Sequence, residues 1–576
     1  MPEACSLPAD AAGAARARHA AWPVLAAVSW VLLCLAWFDA AAPFRPAVVE
    51  AVPPGVAAAL LAFALAAWAW TAARSPGPPP LAGWREPGLL LVVALAVLFR
   101  LPMAWQGSAG YVTADGALSG LMALDVRDGR AHDVFVPHVA YSGSLKAHLT
   151  APLAAVMDPS RAFALVSVLF YGAFVAAVHR LARQAGGERA AVAAGLYAAF
   201  APAFVTRYSL SNDGNYVEVL ALGTWALVVA LGAAAREGSS RAFGIGLLLG
   251  LAFWCHILAV IPAAAVALFL LRESPRRWAR ALPWASLGFV AGDLPGLLWN
   301  AAHGWDSFSH LRPGAGGAAG APALLARAVA LVTDHLPVLL GYDFGYPRPV
   351  DVALSLVAGA AIVLLAWGTG RALRRARGEE GRAWRAVLAL VLVNVAVALA
   401  ALPYIPGNPR YLLFLMGAVP VLVAPAVAHP AGRVVLAVVI GTGALASLAQ
   451  AVGAAASDRQ WRTFVRGLEE EGVRWCYTDF HLATKVNFLS GQRIECSSKL
   501  GPTTTEYFFR FREAVEAAPE AAFIAVNATN VEKLERRLER LGVTYARRDL
   551  MKPVLLRLSR KVDPEEIFPD RAFPLR

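Results

Sequence analysis

Apolar residues in this chain fall into long unbroken runs, not into the alternation of a half-buried strand or the single stripe of a surface helix. A bilayer crossing takes about 20 apolar residues. Thirteen runs read as candidate crossings, near 22–38, 54–73, 87–105, 161–179, 190–206, 217–235, 242–256, 257–272, 281–299, 350–369, 385–403, 412–428 and 432–451. The seventh and eighth are short and share one apolar stretch, which predicts a tight hairpin or a re-entrant pair. After Ala456 the pattern changes. Val473–Phe480 and Ala521–Val526 read as strands, as do Thr544–Arg548 and Pro553–Leu558. Val531–Leu541 is an amphipathic helix with Leu534, Leu538 and Leu541 on one face. The predicted fold is a polytopic α-helical membrane protein of about 13 transmembrane helices with a C-terminal α/β domain.

Composition agrees and adds an orientation. Of 576 residues, 58% are hydrophobic and 16% are charged, against about 25% charged in a soluble domain. A single soluble domain and a disordered chain are both excluded. From Ser457 onward roughly a third of residues are charged, against roughly one in nine before it. Three regions follow: an N-terminal segment with two spans (1–86), a transmembrane region (87–456) with a long first outer loop (106–160), and the α/β domain (457–576). The net charge of +12 does not point to nucleic acid. Arginines gather in alternate short loops, among them Arg180, Arg183 and Arg189, then Arg272, Arg276, Arg277 and Arg280, then Arg371 to Arg385. This is the positive-inside pattern. It puts the N-terminus in the cytoplasm and the C-terminal domain outside. Arg16 and Arg18 precede an apolar run, but no small-residue cleavage site follows. Cys476 and Cys496 would share the oxidising side, where a disulfide and two core thiols both fit. The alanine, arginine and glycine content points to a bacterial inner membrane.

Polar residues concentrate on the predicted outer face. The first outer loop carries Asp115, Tyr141, Lys146 and His148. The next one, Arg207–Tyr216, carries Asp213 and Asn215, with Glu218 just inside the following span. His256 ends the seventh span. Asp293 and Asn300 flank the ninth, followed by His303-Gly304-Trp305-Asp306, and Asn408-Pro409-Arg410-Tyr411 opens the twelfth. Ionisable groups in or near spans are costly and mark a site or an internal pair. Each has a plainer reading. Asp115 fits a helix N-cap, Lys146 a snorkelling interfacial lysine, Arg410 a loop charge, and Asp125 and Asp128 a solvated face.

The early Asp115 in a long outer loop, the Arg100-Leu101-Pro102 before it and the Arg410-Tyr411-Leu412 near the end resemble the GT-C superfamily of membrane glycosyltransferases. More narrowly they resemble glycosyltransferase family 39-like enzymes, which include protein O-mannosyltransferases and lipid A aminoarabinose transferases. The resemblance covers roughly residues 87 to 460 in layout. It implies Asp115 beside the reacting centre. It also implies Lys146, Arg410 and Tyr411 at the donor phosphate. Asp115 is followed here by Gly116, where members of the family commonly have glutamate, and Lys146 stands in a Gly-Ser-Leu-Lys context unlike theirs.

The implied reaction moves a sugar from a polyprenyl-phosphate donor to an extracytoplasmic acceptor, whether protein, lipid or polysaccharide. Cations stabilise the leaving phosphate, and a carboxylate opposite it takes the acceptor proton, which inverts the anomeric carbon. Asp213, Asn215, Glu218, Tyr141 and His256 are candidate substrate contacts. No cofactor is required. His138, His148 and His256 leave a divalent metal open, although their spacing carries no signature. The partners are the lipid-linked donor and membrane lipid. A transporter or lipid flippase, a scaffold subunit, and a surface-polysaccharide polymerase or ligase are the alternatives. The first of these predicts repeats with broken helices at mid-membrane.

Overall fold

The computed structural model describes residues 25–45, 55–64, 86–211, 213–235, 238–311, 321–342, 347–377, 381–401, 407–500, 506–525, 528–550 and 553–568. The first two predicted spans are seen in part, as short helices α1 (Leu25–Trp37) and α2 (Gly55–Ala64). Most of the remaining N-terminal segment lies outside the described residues. Among the described residues, six helices are long and apolar enough to cross a membrane, or eight if each of two bent pairs counts as one crossing. The chain is an integral membrane protein.

α3 (Pro87–Gln106) opens the transmembrane body. Two predicted spans then appear as one long element, α6 (Pro159–Ala199), broken at Gly187 where φ is 77°. That left-handed turn suits glycine, and it separates the apolar stretches exactly where Arg183 and Arg189 crowd the sequence. α7 (Tyr216–Ala235) follows. The predicted short pair is α8 (Ser239–Cys255) and α9 (Val260–Glu273). They are separated by an extended residue, His256, which pairs as an isolated β-bridge with Ser142. The ninth predicted span is bent by 72° between α10 (Pro275–Gly292) and α11 (Leu294–Ala302). α12 (Ala321–Ala330) lies in what the hydropathy pattern left as a loop. α13 (Arg348–Arg375) and α14 (Arg382–Ala400) match the tenth and eleventh. The twelfth is bent by 50° between Arg410–Gly417 and Val419–Ala428. The helices pack into one continuous apolar core running from Val92 to Val439.

The last helix, α15 (Pro430–Glu470), does not stop where the composition changes. It runs straight into a five-stranded mixed sheet of order β4-β3-β5-β7-β6. β3 (Trp475–Tyr477) lies parallel to β4 (Glu495–Ser497) and to β5 (Ala522–Ala525). β7 (Val554–Leu558) lies antiparallel to β5 and to β6 (Tyr545–Asp549). Helices at Phe480–Leu489, Phe509–Ala517 and Ala528–Arg540 complete it. β4 and the first of these helices were not legible in the sequence pattern. Cys476 and Cys496 face each other across β3 and β4 and form a disulfide. Serine in place of both is expected to cost about 2–4 kcal/mol of the stability of this region, checked by thermal melting of oxidised and reduced protein.

The loop 106–160 is ordered by this sheet. It holds α4 (Ala114–Arg127), a hairpin of β1 (Phe135–Val136) and β2 (Val139–Gly143), and α5 (Leu145–Ala154). Phe488 packs against Gly120, where a β-carbon would clash with its ring. Asp125 is buried and binds Arg510 at 2.8 Å and Arg130 at 3.0 Å. It is therefore an anchor for the C-terminal region, not part of a solvated face, because two guanidinium groups and Gln492 replace its water. Arg462 bridges Asp458 and Asp158 at 2.7 and 2.8 Å, and Asp458 accepts from the Ala109 amide. The loop and the sheet region thus form one packed unit over one end of the helices.

Candidate active site

Asp115 stands in the first turn of α4. The cap of that helix is Thr113, whose hydroxyl accepts from the Gly116 amide at 3.1 Å. The N-cap reading of Asp115 is thereby corrected: the Thr113 oxygen already serves the free amide. Asp115 is exposed and has no hydrogen-bond or ion-pair partner among the described residues. It lies close to Tyr141 on β2 and to Tyr507 from the C-terminal region. Both phenols are raised above their ordinary range, first by burial and then by the charge of Asp115 among others.

Arg410 begins the bent twelfth span. It donates to the Tyr411 hydroxyl at 2.8 Å and lies 4.8 Å from the Tyr411 ring centroid. It forms no ion pair among the described residues and is half-buried. Around it the aromatic residues form a floor. Tyr216 is 6.4 Å from Tyr411 and 5.4 Å from His256 between ring centroids, and His256 is 5.5 Å from Tyr141. Tyr208 is 5.7 Å from Tyr216. The charge of Arg410 opposes the rise of the Tyr141 phenol, whereas that of Asp115 adds to it. Tyr141 therefore senses both the carboxylate and the guanidinium.

Asp213 joins from the second loop. It accepts a hydrogen bond from the Thr113 hydroxyl and lies 4.0 Å from Arg207. Lys485, from the C-terminal region, is close enough that the charge of Asp213 counters the depression that burial imposes on its ammonium. The loop is braced from below by Arg100, which is fully buried. Its guanidinium donates to the Ala199 carbonyl and to the Ser209 hydroxyl, both at 2.7 Å, and stacks 3.8 Å from the centre of the Tyr171 ring.

Four candidates have structural partners of their own. Lys146 is 1% exposed and its ammonium lies 3.0 Å from Glu218, which is 0% exposed. Neither is at the surface. Lys146 is not an open phosphate ligand, because its charge is already neutralised by a buried carboxylate and its Nζ also reaches Ser167. Glu218, for the same reason, is not free to hold a sugar. The Asn215 amide donates to the carbonyls of Gly143 at 2.6 Å and of Cys255 at 3.0 Å. It pins the hairpin to the break after α8 and has no donor left for substrate. His256 accepts from the Leu258 amide through Nδ1 at 3.1 Å, so it caps the turn that follows it. Its ring remains part of the aromatic floor.

Thr113, Tyr208, Tyr216, Lys485 and Tyr507 were missed by sequence reasoning. A cap signature marks Thr113, a threonine three residues before Gly116 at a helix start. Nothing local marks Tyr507, which is far from the loop in sequence and arrives only through the docking of the sheet region. Among the described residues, no group of three His, Cys, Asp or Glu side chains converges on one point.

Residues 146–299 match the family model described as dolichyl-phosphate-mannose-protein mannosyltransferase. ArnT from Cupriavidus metallidurans bound to undecaprenyl phosphate is similar in structure with a TM-score of 0.52, at 11% identity, over 82% of this chain and 98% of that one. Its apo form gives a TM-score of 0.53 at 12% identity over the same shares. The archaeal oligosaccharyltransferase AglB from Archaeoglobus fulgidus, in complex with an inhibitory peptide and a dolichol-phosphate, gives 0.45 at 12% identity, over 79% of this chain and 70% of that one. No curated protein matches by sequence. This chain is thus similar over residues 146–299 to a family of membrane mannosyltransferases, and along most of its length to the fold of ArnT.

Proposed function

We propose that the protein is an inverting glycosyltransferase that moves a sugar from a polyprenyl-phosphate donor to an acceptor on the extracytoplasmic side of a bacterial inner membrane. The observation that carries the reading is a pair of unneutralised charges. The Asp115 carboxylate and the Arg410 guanidinium both act through their charge on the Tyr141 phenol at the loop end of a GT-C-like fold, and neither has an ion-pair partner among the described residues. Several other charges of the loop assembly are paired, among them Lys146–Glu218 and Asp125–Arg510.

Each charge has a task in glycosyl transfer. As the sugar–phosphate bond breaks, the diester becomes a monoester and gains negative charge. Arg410, polarised by the Tyr411 hydroxyl, stabilises that charge. Asp115, on the other side of the reacting carbon, accepts the proton of the acceptor hydroxyl as its oxygen attacks. The aromatic floor of Tyr141, Tyr216 and His256 supports the flat face of the sugar. Asp213, held by Thr113 and Arg207, is placed to accept from sugar hydroxyls. The Cys476–Cys496 disulfide supports the outside assignment of the C-terminal region, since disulfides persist in oxidising compartments.

Base and leaving group on opposite faces require inversion. The anomeric configuration of the product, read by NMR from a donor of known configuration, tests this: the opposite configuration is expected, and retention would contradict the role of Asp115. Arg410→Ala is expected to slow turnover by about 10²–10³, the loss typical of one oxyanion donor. Arg410→Lys should recover part of the loss, since it keeps the charge and loses the fork. The check is the turnover rate with donor saturating.

A further inference from the structure

The sequence motif His303-Gly304-Trp305-Asp306 plays no part in the site above. The structure places it on one wall of an open cavity of about 880 Å³, bounded on the other side by the β1–β2 hairpin. The size falls within the range of ~300–1,000 Å³ common for ligand sites. Asp133, His138, Trp299, Trp305, Asp306 and Phe308 are among its lining residues.

Its chemistry is distinctive. Trp299 and His303 stack face to face, with ring centres 4.1 Å apart and planes 5° apart, and give a flat wall. Trp305 stands half exposed 5.9 Å from the Phe308 ring. The carboxylates of Asp133 and Asp306 sit among these rings, and neither lysine nor arginine lines the cavity among the described residues. A phosphate or another anion would meet two carboxylates and no cation there. Flat aromatic faces interleaved with hydrogen-bond acceptors fit a neutral polyhydroxylated ring, whose axial C–H groups stack and whose hydroxyls donate.

The backbone also bears on the cavity. Four non-glycine residues have a left-handed φ among the described residues, and two of them line this one space: His138 at 60° and Trp305 at 63°. Bulky side chains rarely occupy that region, and such strain collects at ligand sites. The Trp305 turn is held by Asn300, which accepts from the Ser307 amide at 3.1 Å. The Ser307 hydroxyl in turn donates to the Ala140 carbonyl of the hairpin. The cavity also adjoins the candidate site. The His138 ring, in the hairpin turn, lies 6.3 Å from the ring of Tyr507, a phenol that feels the charge of Asp115, and Tyr141 stands three residues further on, within β2.

We propose that this cavity binds a neutral glycan segment of the acceptor, so that the hydroxyl to be glycosylated projects past His138 toward Asp115. This rests on the transferase reading for its link to Asp115, though the binding can be measured without it. The test is isothermal titration of the full-length protein in detergent with maltotriose, mannotriose and chitotriose, and with a serine- and threonine-rich peptide. At least one trisaccharide is expected to bind saturably. Trp305→Ala should weaken it tenfold or more, Asp306→Asn severalfold, and Trp305→Phe little. Trisaccharide binding by a protein that transfers no sugar would support this site and remove the transferase reading alone. Absence of saturable binding by any of the three, equal binding by Trp305→Ala, or binding of the peptide only would overturn the proposal.

Discussion

Asp115→Asn is expected to lower sugar transfer by about 10²–10⁴, the span that general base catalysis covers, and to leave the fold intact. Both halves follow from its surroundings. The carboxylate is exposed, without a hydrogen-bond or ion-pair partner among the described residues, and the helix it stands on is capped by Thr113. Removing its charge breaks no contact that holds α4 in place. Asparagine keeps the size, so acceptor binding should persist while proton removal fails. A fall in turnover at unchanged melting temperature and unchanged KM for the acceptor is the expected signature. A fall in melting temperature of comparable weight would point instead to a structural role. Thr113→Ala offers a contrast, because Thr113 both caps α4 and donates to Asp213. It should cost about 0.5–2 kcal/mol of stability as well as rate.

The second large effect falls on Lys146. A phosphate ligand at the surface could be removed with little loss of stability. The Lys146 ammonium is instead enclosed with Glu218 at 3.0 Å, between α5 and the first turn of α7. Lys146→Ala leaves a carboxylate buried without its partner, which costs about 3–5 kcal/mol. Glu218→Gln alone leaves the ammonium unpaired and is destabilising by a similar route. Lys146→Met combined with Glu218→Gln removes both charges at similar volume, and it should recover most of the lost stability. Thermal melts of the two single variants and the double variant check this. If the double variant is as stable as the wild type and keeps transfer, the pair serves packing and register. The account expects this, with the donor phosphate served by Arg410.

The division between what the sequence disclosed and what it hid follows the range of the interactions involved. Membrane spans are written locally, because each must be apolar over its own length, and α3, α7, α13 and α14 stand where hydropathy put them. The breaks are legible too where a charge or a turn residue marks them, as at Gly187 and His256. The spans that bend, α10 with α11 and the Arg410–Ala428 segment, look straight in a hydropathy window because bending changes geometry and not polarity. Asp115, Arg410 and Tyr411 could be singled out as charged or polar groups at the ends of spans. Their partners could not. Whether Lys146 faces water or Glu218 depends on how α5 packs on α7, and no periodicity within either helix encodes that. The same holds for Asp125, which reads as a solvated carboxylate until Arg510 arrives from a region far along the chain. Tyr507 and Lys485 belong to the site for the same reason, by docking and not by motif.

One measurement bears most directly on the central claim. The protein is reconstituted in proteoliposomes with a polyprenyl-phosphate sugar labelled in the sugar, and the label is followed after acceptor is added on the side of the C-terminal region. The account predicts that label leaves the lipid, appears in the acceptor and leaves an equal amount of free polyprenyl phosphate, and that Asp115→Asn abolishes all three. Label that crosses the bilayer while still attached to its lipid, with no free polyprenyl phosphate formed, would contradict it and identify a carrier of lipid-linked sugars in place of a transferase.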